Sequence, residues 1–585
     1  MSILLTTLNA KFTHSSLALR YINKYLEKND IECDFMEFTI NNELNDIVSD
    51  IFRGNYNIVC FSTYIWNFNQ TIEIAKTLKK VSPKLKILLG GPEVSYDPEE
   101  LMTKYDFIDY ISFGEGEETL LELFKAHRNK KVCLKKIKGL AYRRRSEVMV
   151  NAPRIDLQEL DVIPFPYDEE DLNKLQNRII YYESSRGCPF NCQYCLSSTI
   201  KGVRYFSLER VKENLKFFLD NDVMQVKFVD RTFNADPRRA LEIMKFIRDN
   251  DNGVTNFHFE ITANLLDDKT ISFLSKIREG LFQFEVGVQS TNENTIKEIK
   301  RNVDTKKILR ICKEISKSQN IHLHLDLIVG LPFEDFDSFC NSFEDVYRTK
   351  PEQLQIGFLK LLKGSGLRMD KKKHGYIYND LPPYEIFENK YLSFSEVLNL
   401  KDIEELVEKY YNSRRFKFSL DFLIAKFYKR GIDFYVDFAR YWRENKLFGK
   451  KYSVEDLYMI LLKYYLHKKH HQKILFHDFL KFDYLESGGK KVDKIFKVIK
   501  LDDFRNKCHE FLQDEENLEK YLPEYVGKPA KQIIKKVRFE IFDNDIIEYI
   551  SHDYIGDCKK ITCVLFDYGK KSKIFERSRY MNIKL

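Results

Sequence analysis

The stretch Glu183-Ser-Ser-Arg-Gly-Cys188-Pro-Phe-Asn-Cys192-Gln-Tyr-Cys195 carries three cysteines with the spacing C-x3-C-x2-C. It follows directly after Ile179–Glu183, an apolar run that predicts a buried strand. Gly187 and Pro189 favour a turn around the first cysteine, so the tight loop can bring three thiolates to one side. Three thiolates suit an iron–sulfur cluster that keeps one iron free of protein ligands and open to a substrate or cofactor group.

A zinc site and a chance group of cysteines are the alternatives. A structural zinc ion takes four protein ligands, and neither cysteine nor histidine occurs in the 60 residues after Cys195. We therefore expect Cys188, Cys192 and Cys195 to hold a 4Fe-4S cluster.

Strand and helix patterns alternate along the chain on both sides of this loop. From residue 178 to residue 370, six such units predict a partial β/α barrel. Its predicted strands are Ile179–Glu183, Gln225–Val229, Phe257–Ile261, Phe282–Val288, Leu323–Ile328 and Gln355–Leu359. Residues 371–585 instead show long helical patterns rich in Tyr, Phe and Lys, which predict a mostly helical C-terminal region. Its predicted helices include Glu385–Lys401, Leu420–Arg430 and Val454–Leu466, and Val537–Phe542 and Ile561–Phe566 are predicted strands.

Residues 1–145 predict an α/β domain, a doubly wound parallel sheet with helices on both faces. The predicted strands are Ile3–Leu8, Ile58–Thr63, Ile87–Leu89 and Tyr110–Phe113, and the predicted helices are Ser15–Glu27, Gln70–Lys80 and Glu117–His127. Small residues follow several of these strands, where such sheets bind ligands and where backbone must be approached closely. Residues 146–177, with two prolines in Asp161–Tyr167, are predicted to be a linker.

The composition of the 585 residues is that of a folded protein with several domains: 43% are hydrophobic and 31% are charged. The net charge of +7 gives no clear signal for nucleic acid. We expect no membrane span and no signal peptide, and we read the 11 cysteines as reduced thiols or metal ligands in a cytoplasmic protein.

The cysteine motif, with Tyr194 before the third cysteine, resembles the signature of the radical S-adenosylmethionine (radical SAM) superfamily. The resemblance implies that the open iron chelates SAM and that the reduced cluster cleaves it to a 5′-deoxyadenosyl radical. It also implies that SAM lies across the carboxyl ends of the barrel strands. The side chains that we expect to bind SAM are Tyr194, Asp230, Glu260, Glu285, Gln289 and Leu331. Many members have a Gly-Gly-Glu-like stretch where this chain has Val229-Asp-Arg-Thr232.

The N-terminal region resembles the cobalamin-binding domain that precedes the barrel in one large radical SAM subclass. The matching features are a Ser after one strand, a Gly pair after the next and a Pro-Phe-Pro linker. The residues that we expect to bind cobalamin are Asn9, His14, Ser62, Thr63, Tyr64, Gly90, Gly91, Gly114, Glu115 and Gly116. Many such domains use Asp-x-His-x-x-Gly, and this chain departs from that motif, so His14 is either a cobalt ligand or a local hydrogen-bonding residue. A flavodoxin-like sheet that binds another nucleotide, or nothing, is the alternative for the whole region.

These resemblances imply a cobalamin-dependent radical SAM enzyme with a 4Fe-4S cluster, SAM and cobalamin as cofactors. Methylation of an unactivated carbon is the leading reaction, and a radical rearrangement or ring contraction without methyl transfer is the alternative. A redox-sensing or structural iron–sulfur protein is the non-enzymatic alternative. Such an enzyme needs a reductant such as ferredoxin or flavodoxin. The C-terminal region resembles an uncharacterised domain, and the sequence assigns no catalytic residue and no substrate.

Overall fold

In a computed structural model of the protein, the described residues are 1–129, 133–200, 202–490, 492–499, 502–569 and 578–585. The chain forms two compact units. The first contains Met1–Ile321, Ile328–Asp335 and Gly357–Ser393, and the second contains His322–Leu327, Phe336–Ile356 and Phe394–Leu585. These units run across the domain limits that the sequence predicts, which stay predictions.

Seven strands form the first sheet: β1 (Ile3–Asn9), β2 (Asp34–Thr39), β3 (Ile58–Ser62), β4 (Lys86–Gly90), β5 (Tyr110–Ser112), β6 (Leu140–Arg144) and β7 (Glu147–Val150). They lie in the order β2-β1-β3-β4-β5-β6-β7, and β1 to β5 pair in parallel. Every residue of β1 and β3 is buried, as expected for central strands covered by helices on both faces. The helices are Leu17–Glu27, Leu44–Arg53, Phe68–Val81, Pro98–Lys104 and Glu117–Asn129. The order of β1 to β5 is that of a flavodoxin-like sheet, which confirms the predicted fold class.

Three strands of this sheet are absent from our sequence prediction. The strand β2 lies at the edge and is only partly buried, so its apolar pattern is weak. The strands β6 and β7 form an antiparallel hairpin that extends the sheet beyond β5. Since β7 falls inside residues 146–177, the first part of the predicted linker belongs to the sheet.

The second sheet has six strands side by side in chain order. They are Ile180–Tyr182, Gln225–Phe228, Asn256–Ile261, Phe282–Gln289, His322–Val329 and Gln353–Phe358, which confirms all six predicted barrel strands. The intervening helices are Leu208–Asp220, Pro237–Asp249, Asp268–Leu274, Glu293–Glu298, Thr305–Lys317 and Phe336–Tyr347. Along Phe282–Gln289 buried residues alternate with partly exposed ones, so one face packs and the other faces the barrel lumen.

The C-terminal part is mostly helical, as predicted. Its helices are Phe394–Leu406, Val407–Asn412 (a π-helix), Lys417–Phe427, Gly431–Glu444, Val454–His467, Lys473–Glu486, Val492–Ile495, Phe504–Gln513, Glu515–Tyr521, Ala530–Ile533 and Ile546–Ser551. The two predicted strands pair antiparallel as Val537–Phe542 and Thr562–Asp567, joined by a third, Arg579–Ile583. The predicted helix Glu385–Lys401 is wrong in its first half, because Ile386–Glu388 pairs as a strand with Ile377–Tyr378. None of the helices in the described ranges combines the length and the apolar character that crossing a membrane requires.

Candidate active site

A β-hairpin closes the cysteine loop at its base. The strand Ser185–Cys188 pairs antiparallel with Gly202–Tyr205, and Cys188 lies opposite Gly202. Gly187 has a φ of +103°, and a Cβ there would lie 2.2 Å from the carbonyl oxygen of Gly202. Only glycine fits this position, because the backbone needs a left-handed conformation and the opposite strand passes too close for a side chain.

The three cysteines of the loop form no disulfide; Cys188 and Cys192 are buried, and Cys195 is partly exposed. Within the described ranges, the one His/Cys/Asp/Glu group with all its ligand atoms within 4.8 Å of one another is Glu298, Asp370 and His374, and not the cysteines. The carboxylate of Glu298 already pairs with the ammonium of Lys373, so that group is an ion pair.

The side chain of Arg301 contacts the cysteine loop. Its Nη1 lies 3.7 Å from Cys192 Sγ and donates to Tyr194 Oη at 2.9 Å. Burial raises the pKa of the Cys192 thiol, and the guanidinium of Arg301 opposes this by favouring the thiolate. The sequence analysis missed Arg301, because it lies 106 positions after Cys195 and no local motif marks it.

Asp230 lies fully buried after the second barrel strand. Its carboxylate accepts hydrogen bonds from the backbone of Ser184 at 2.9 Å, from its hydroxyl at 2.7 Å and from the hydroxyl of Ser185 at 2.5 Å. These contacts tie Asp230 to the start of the cysteine hairpin. Its predicted role in binding SAM stays a prediction, and the contacts seen here are those of a residue that positions the hairpin.

Glu260 and Glu285 lie opposite each other on neighbouring strands and share the lumen face with other ionisable groups. The carboxylate of Glu285 is 3.1 Å from Lys227 Nζ and 3.1 Å from His258 Nε2. The lumen is therefore polar and carries charges of both signs. Sequence reasoning missed Lys227 and His258, although both occupy alternate positions in apolar strands.

Gln289 has the features of a ligand-binding residue at the end of its strand. It has a φ of +73°, which is strained for a residue with a side chain. Its Oε1 is buried and has no hydrogen-bond partner in the described structure. Its amide folds back over Gly287, whose carbonyl accepts from Arg301. Leu331 is fully buried in an apolar cluster to which Tyr194 also belongs. Gln289 thus offers a hydrogen-bond acceptor beside the cysteine loop. Leu331 belongs to the apolar cluster against which Tyr194 of the same loop packs.

Loss of this acceptor is expected to weaken SAM binding. Gln289→Leu keeps the size of the side chain and removes a buried acceptor, so we expect about tenfold weaker SAM binding, as for the loss of roughly 1–2 kcal/mol. Titration of the SAM-induced change in the electron paramagnetic resonance (EPR) spectrum of the reduced cluster measures it. Gln283→Leu, on the same face of the same strand, is the matched control. Equal SAM affinity in both variants would contradict the assignment.

The carboxyl edge of the first sheet brings together the ends of β3, β4 and β5. Ser62 pairs with Gly90, and Gly90 pairs with Ser112. A Cβ at Gly90 would make ordinary contacts with Ser112, 3.7 Å from its carbonyl oxygen and 3.9 Å from its Cβ. The buried hydroxyl of Ser112 has no hydrogen-bond partner in the described residues. This unused hydroxyl suits an amide-bearing ligand such as cobalamin.

Gly91 and Thr63 have structural roles in the backbone at this edge. Thr63 donates from its backbone N–H and its hydroxyl to the carbonyl of Gly90, at 2.7 and 2.6 Å, and is fully buried. Gly91 has a φ of +100°, and a Cβ there would lie 2.5 Å from the carbonyl oxygen of Thr63. A glycine at 91 is therefore required by the fold itself, so Gly90 is the better position for testing ligand space.

Two stacked aromatic rings flank the same edge. The rings of Tyr64 and Trp66 lie 4.3 Å apart and nearly parallel, and Trp66 is 46% exposed. A large exposed ring held by stacking is suited to cover the face of a flat ligand. The sequence analysis named Tyr64 and missed Trp66, although a tryptophan so soon after a strand end was a usable signal.

The loop after β1 is turned toward the barrel. His14 Nδ1 hydrogen-bonds Tyr181 Oη on the first barrel strand, and burial lowers the pKa of His14. Asn9 donates to the carbonyl of His14 at 3.2 Å and to Glu37 at 3.1 Å. These contacts support the reading of His14 as a hydrogen-bonding residue.

The loop after β5 is engaged by the cysteine hairpin. Glu115 accepts from Arg204 at 2.7 Å and from the backbone of Leu157 at 2.9 Å. Gly114 has open space and a φ of +79°, whereas a Cβ at Gly116 would press on Ile22 at 3.1 Å. Of the three predicted cobalamin residues here, only Gly114 presents free space.

Comparison with known proteins gives three matches along the chain. Residues 3–124 match the B12 binding domain, residues 182–346 match the radical SAM superfamily, and residues 372–566 match a protein family of unknown function, DUF4080. The last match begins beside the predicted limit at residue 371.

Relatives with such domains include the cobalamin-dependent radical SAM methyltransferase TokK of Streptomyces tokunonensis, 25% identical over 56% of this chain and 50% of TokK. An uncharacterised methyltransferase of Pyrococcus horikoshii, PH0819, is 28% identical over 50% of this chain and 64% of its own length. The chain thus spans half to two thirds of these relatives.

Solved structures share the fold. The cobalamin-dependent SAM radical enzyme OxsB, with aqua-cobalamin and SAM bound, has a TM-score of 0.58 at 15% identity and covers 90% of this chain and 84% of its own. The methyltransferase TsrM of Kitasatospora setae has a TM-score of 0.54 at 15% identity over 65% of this chain and 78% of its own. The resemblance drawn from the cysteine and glycine motifs is confirmed. The chain therefore carries a B12-binding domain over residues 3–124, a radical SAM domain over residues 182–346 and a DUF4080 region over residues 372–566.

Proposed function

We propose that the chain is a cobalamin-dependent radical SAM enzyme of the methyltransferase type. One observation carries this proposal: within the first compact unit, the cysteine hairpin contacts the carboxyl edge of the first sheet. Arg186, two residues before Cys188, donates to Glu117, the first residue of the helix that follows β5, at 2.7 Å. Two cofactor sites so close together suit a reaction that uses both.

The cysteine loop is the cluster side of the site. Cys188, Cys192 and Cys195 would hold the 4Fe-4S cluster, and Arg301 would offset its negative charge. Gln289 offers SAM an acceptor, and the buried Leu331 excludes water. Bound there, the reduced cluster supplies the electron that cleaves SAM, and cobalamin carries a methyl group.

The edge of the first sheet is the cobalamin side. Gly90 and Ser112 would accept the amide-bearing rim of the corrin, with Tyr64 and Trp66 against its face. On the lumen face of the barrel, Lys227 and Glu285 would hold a polar substrate by charge and hydrogen bonding. We also propose a ferredoxin or flavodoxin as the reductant. We propose a cytoplasmic location as well, in keeping with the lack of disulfides among the described cysteines.

The test uses the full chain, reconstituted without oxygen and supplied with cobalamin, SAM, a reductant and cell extract as the source of substrate. We expect one cobalamin per chain, and both 5′-deoxyadenosine and S-adenosylhomocysteine by mass spectrometry. Gly90→Leu is expected to lose cobalamin and to keep the cluster absorbance, because its side chain would occupy the proposed cobalamin position at the end of β4, and β4 is not part of the cysteine hairpin. Release of 5′-deoxyadenosine without S-adenosylhomocysteine would instead favour a rearrangement or ring contraction. Absence of bound cobalamin in the wild type would refute methyl transfer and leave the radical SAM assignment intact.

A further inference from the structure

A cluster of ion pairs joins the cysteine hairpin to the loop after β5. We call it the Arg186 cluster, and its members are Arg186, Arg204, Glu115, Glu117 and Glu183. Arg186 uses three nitrogen atoms: Nη2 to Glu117 at 2.7 Å, Nε to Glu183 at 2.9 Å and Nη1 to Glu115 at 3.3 Å. Arg204 pairs with Glu115 at 2.7 Å. All five side chains are at most 18% exposed.

The two arginines stand opposite each other on the hairpin. Arg186 pairs with Arg204 in register, and Cys188 follows two residues later and pairs with Gly202. Arg186 and Cys188 therefore lie two residues apart on the same short strand, about 7 Å along it. Like charges directly across a strand pair destabilise it, so this pairing depends on the glutamates around it.

Two of those glutamates, Glu115 and Glu117, directly follow β5 of the first sheet. The hairpin therefore depends on that end of the sheet. Removing one partner of a buried ion pair leaves an uncompensated buried charge and is strongly destabilising. The hairpin would relieve such a charge by moving Arg186 toward water, and Cys188 would move with it. The position of Cys188, the first ligand of the iron–sulfur cluster, therefore depends on Glu115 and Glu117, which follow β5.

We propose that Glu115 and Glu117 are positioning residues for the iron–sulfur cluster. Through Arg186 and Arg204 they fix the place of Cys188, and so set the reduction potential of the cluster and the fit of SAM on it. The inference rests on the proposed function only in requiring that the cysteines hold a cluster. It gives Glu115, which the sequence analysis predicts to bind cobalamin, a role at the iron–sulfur cluster.

Glu117→Gln is the direct test, because it keeps the shape of the side chain and removes the charge 2.7 Å from Arg186. In the full chain with its cluster loaded, we expect unchanged iron content and a shifted midpoint potential. We also expect SAM to bind roughly 10–100-fold more weakly, the range for outer partners of metal ligands. A redox titration followed by EPR gives the potential, and the SAM-induced change of the EPR spectrum gives the affinity.

Glu118→Gln is the matched control. Glu118 is the next residue of the same helix and pairs with Arg154 at 2.9 Å. The variant therefore removes an equal charge at the neighbouring position, and its partner is not on the hairpin. It is expected to behave as the wild type in both measurements. Arg204→Lys is the second variant in case Glu117→Gln does not fold, since it keeps the charge and loses the two-pronged contact with Glu115.

The outcomes separate positioning from simple stabilisation. If Glu117→Gln and Arg204→Lys lower the melting temperature while the potential and the SAM affinity stay at wild-type values, the proposal is overturned and the ion pairs only stabilise the fold. A shift in both quantities beyond that of Glu118→Gln supports it. Neither measurement needs cobalamin, so a protein that binds no cobalamin would refute the methyl-transfer function without affecting this test.

Discussion

Cys192→Ala is expected to yield a folded protein that cannot keep a 4Fe-4S cluster and no longer cleaves SAM. The cysteine loop supplies the three thiolates that such a cluster needs, and two do not hold it. We expect 5′-deoxyadenosine formation to fall by at least about 100-fold. This exceeds the roughly 10–100-fold loss that is typical when a hydrogen-bond partner of a metal ligand is removed. Iron content, the visible spectrum and product analysis by mass spectrometry measure the effect.

Cys312→Ala is the control for this variant, because Cys312 is a buried thiol in the helix Thr305–Lys317 and lies outside the cysteine loop. It is expected to keep both iron and activity. Full iron content in Cys192→Ala, or stoichiometric zinc in place of iron in the wild type, would contradict the cluster assignment.

Gly187→Ala is expected to abolish cluster assembly although no ligand is removed. The added methyl group would lie 2.2 Å from the carbonyl oxygen of Gly202, in a backbone with a φ of +103°. Because the obstacle is a backbone atom, the hairpin must open. Arg186 and Arg204, which pair across it, would then separate. We expect iron content after reconstitution below about a tenth of that of the wild type. Cobalamin binding is expected to be retained, because Gly90 and Ser112 belong to β4 and β5 and not to the hairpin.

Gly253→Ala separates the two causes of that effect. Gly253 also has a positive φ, +74°, but a methyl group there meets nothing within 4 Å. It carries the conformational cost of roughly 1 kcal/mol without the collision and is expected to assemble its cluster normally. Equal iron content in the two variants would show that the hairpin tolerates the methyl group.

Features with a local signal were predictable from the sequence. The spacing of the cysteines, the six apolar runs of the barrel and the small residues after β3 and β4 all lie within short stretches. Each reports on its own strand or loop, and the structure places these elements as expected. The edge strand β2 and the hairpin β6–β7 were not predicted, because partly exposed or charged strands lack a clear apolar pattern.

The direction in which a polar side chain points was not predictable. Asp230 and Glu115 follow barrel and sheet strands as ligand-binding residues do, yet the first is tied to Ser184 and the second to Arg204. Arg301 and Trp66 were missed for the converse reason, since their neighbours in space come from distant parts of the chain. These choices depend on tertiary packing, which strand-end position alone does not determine.

The alternation along Phe282–Gln289 also bears on how such a protein can evolve. Truncating a packed ring such as Phe284 to alanine costs about 3–5 kcal/mol, close to the whole stability of many domains. A change at Gln283, on the lumen face, is expected to stay within about 0.5 kcal/mol. Single mutations can therefore alter what the lumen accepts while folding is preserved, and this strand can acquire new substrate specificity step by step.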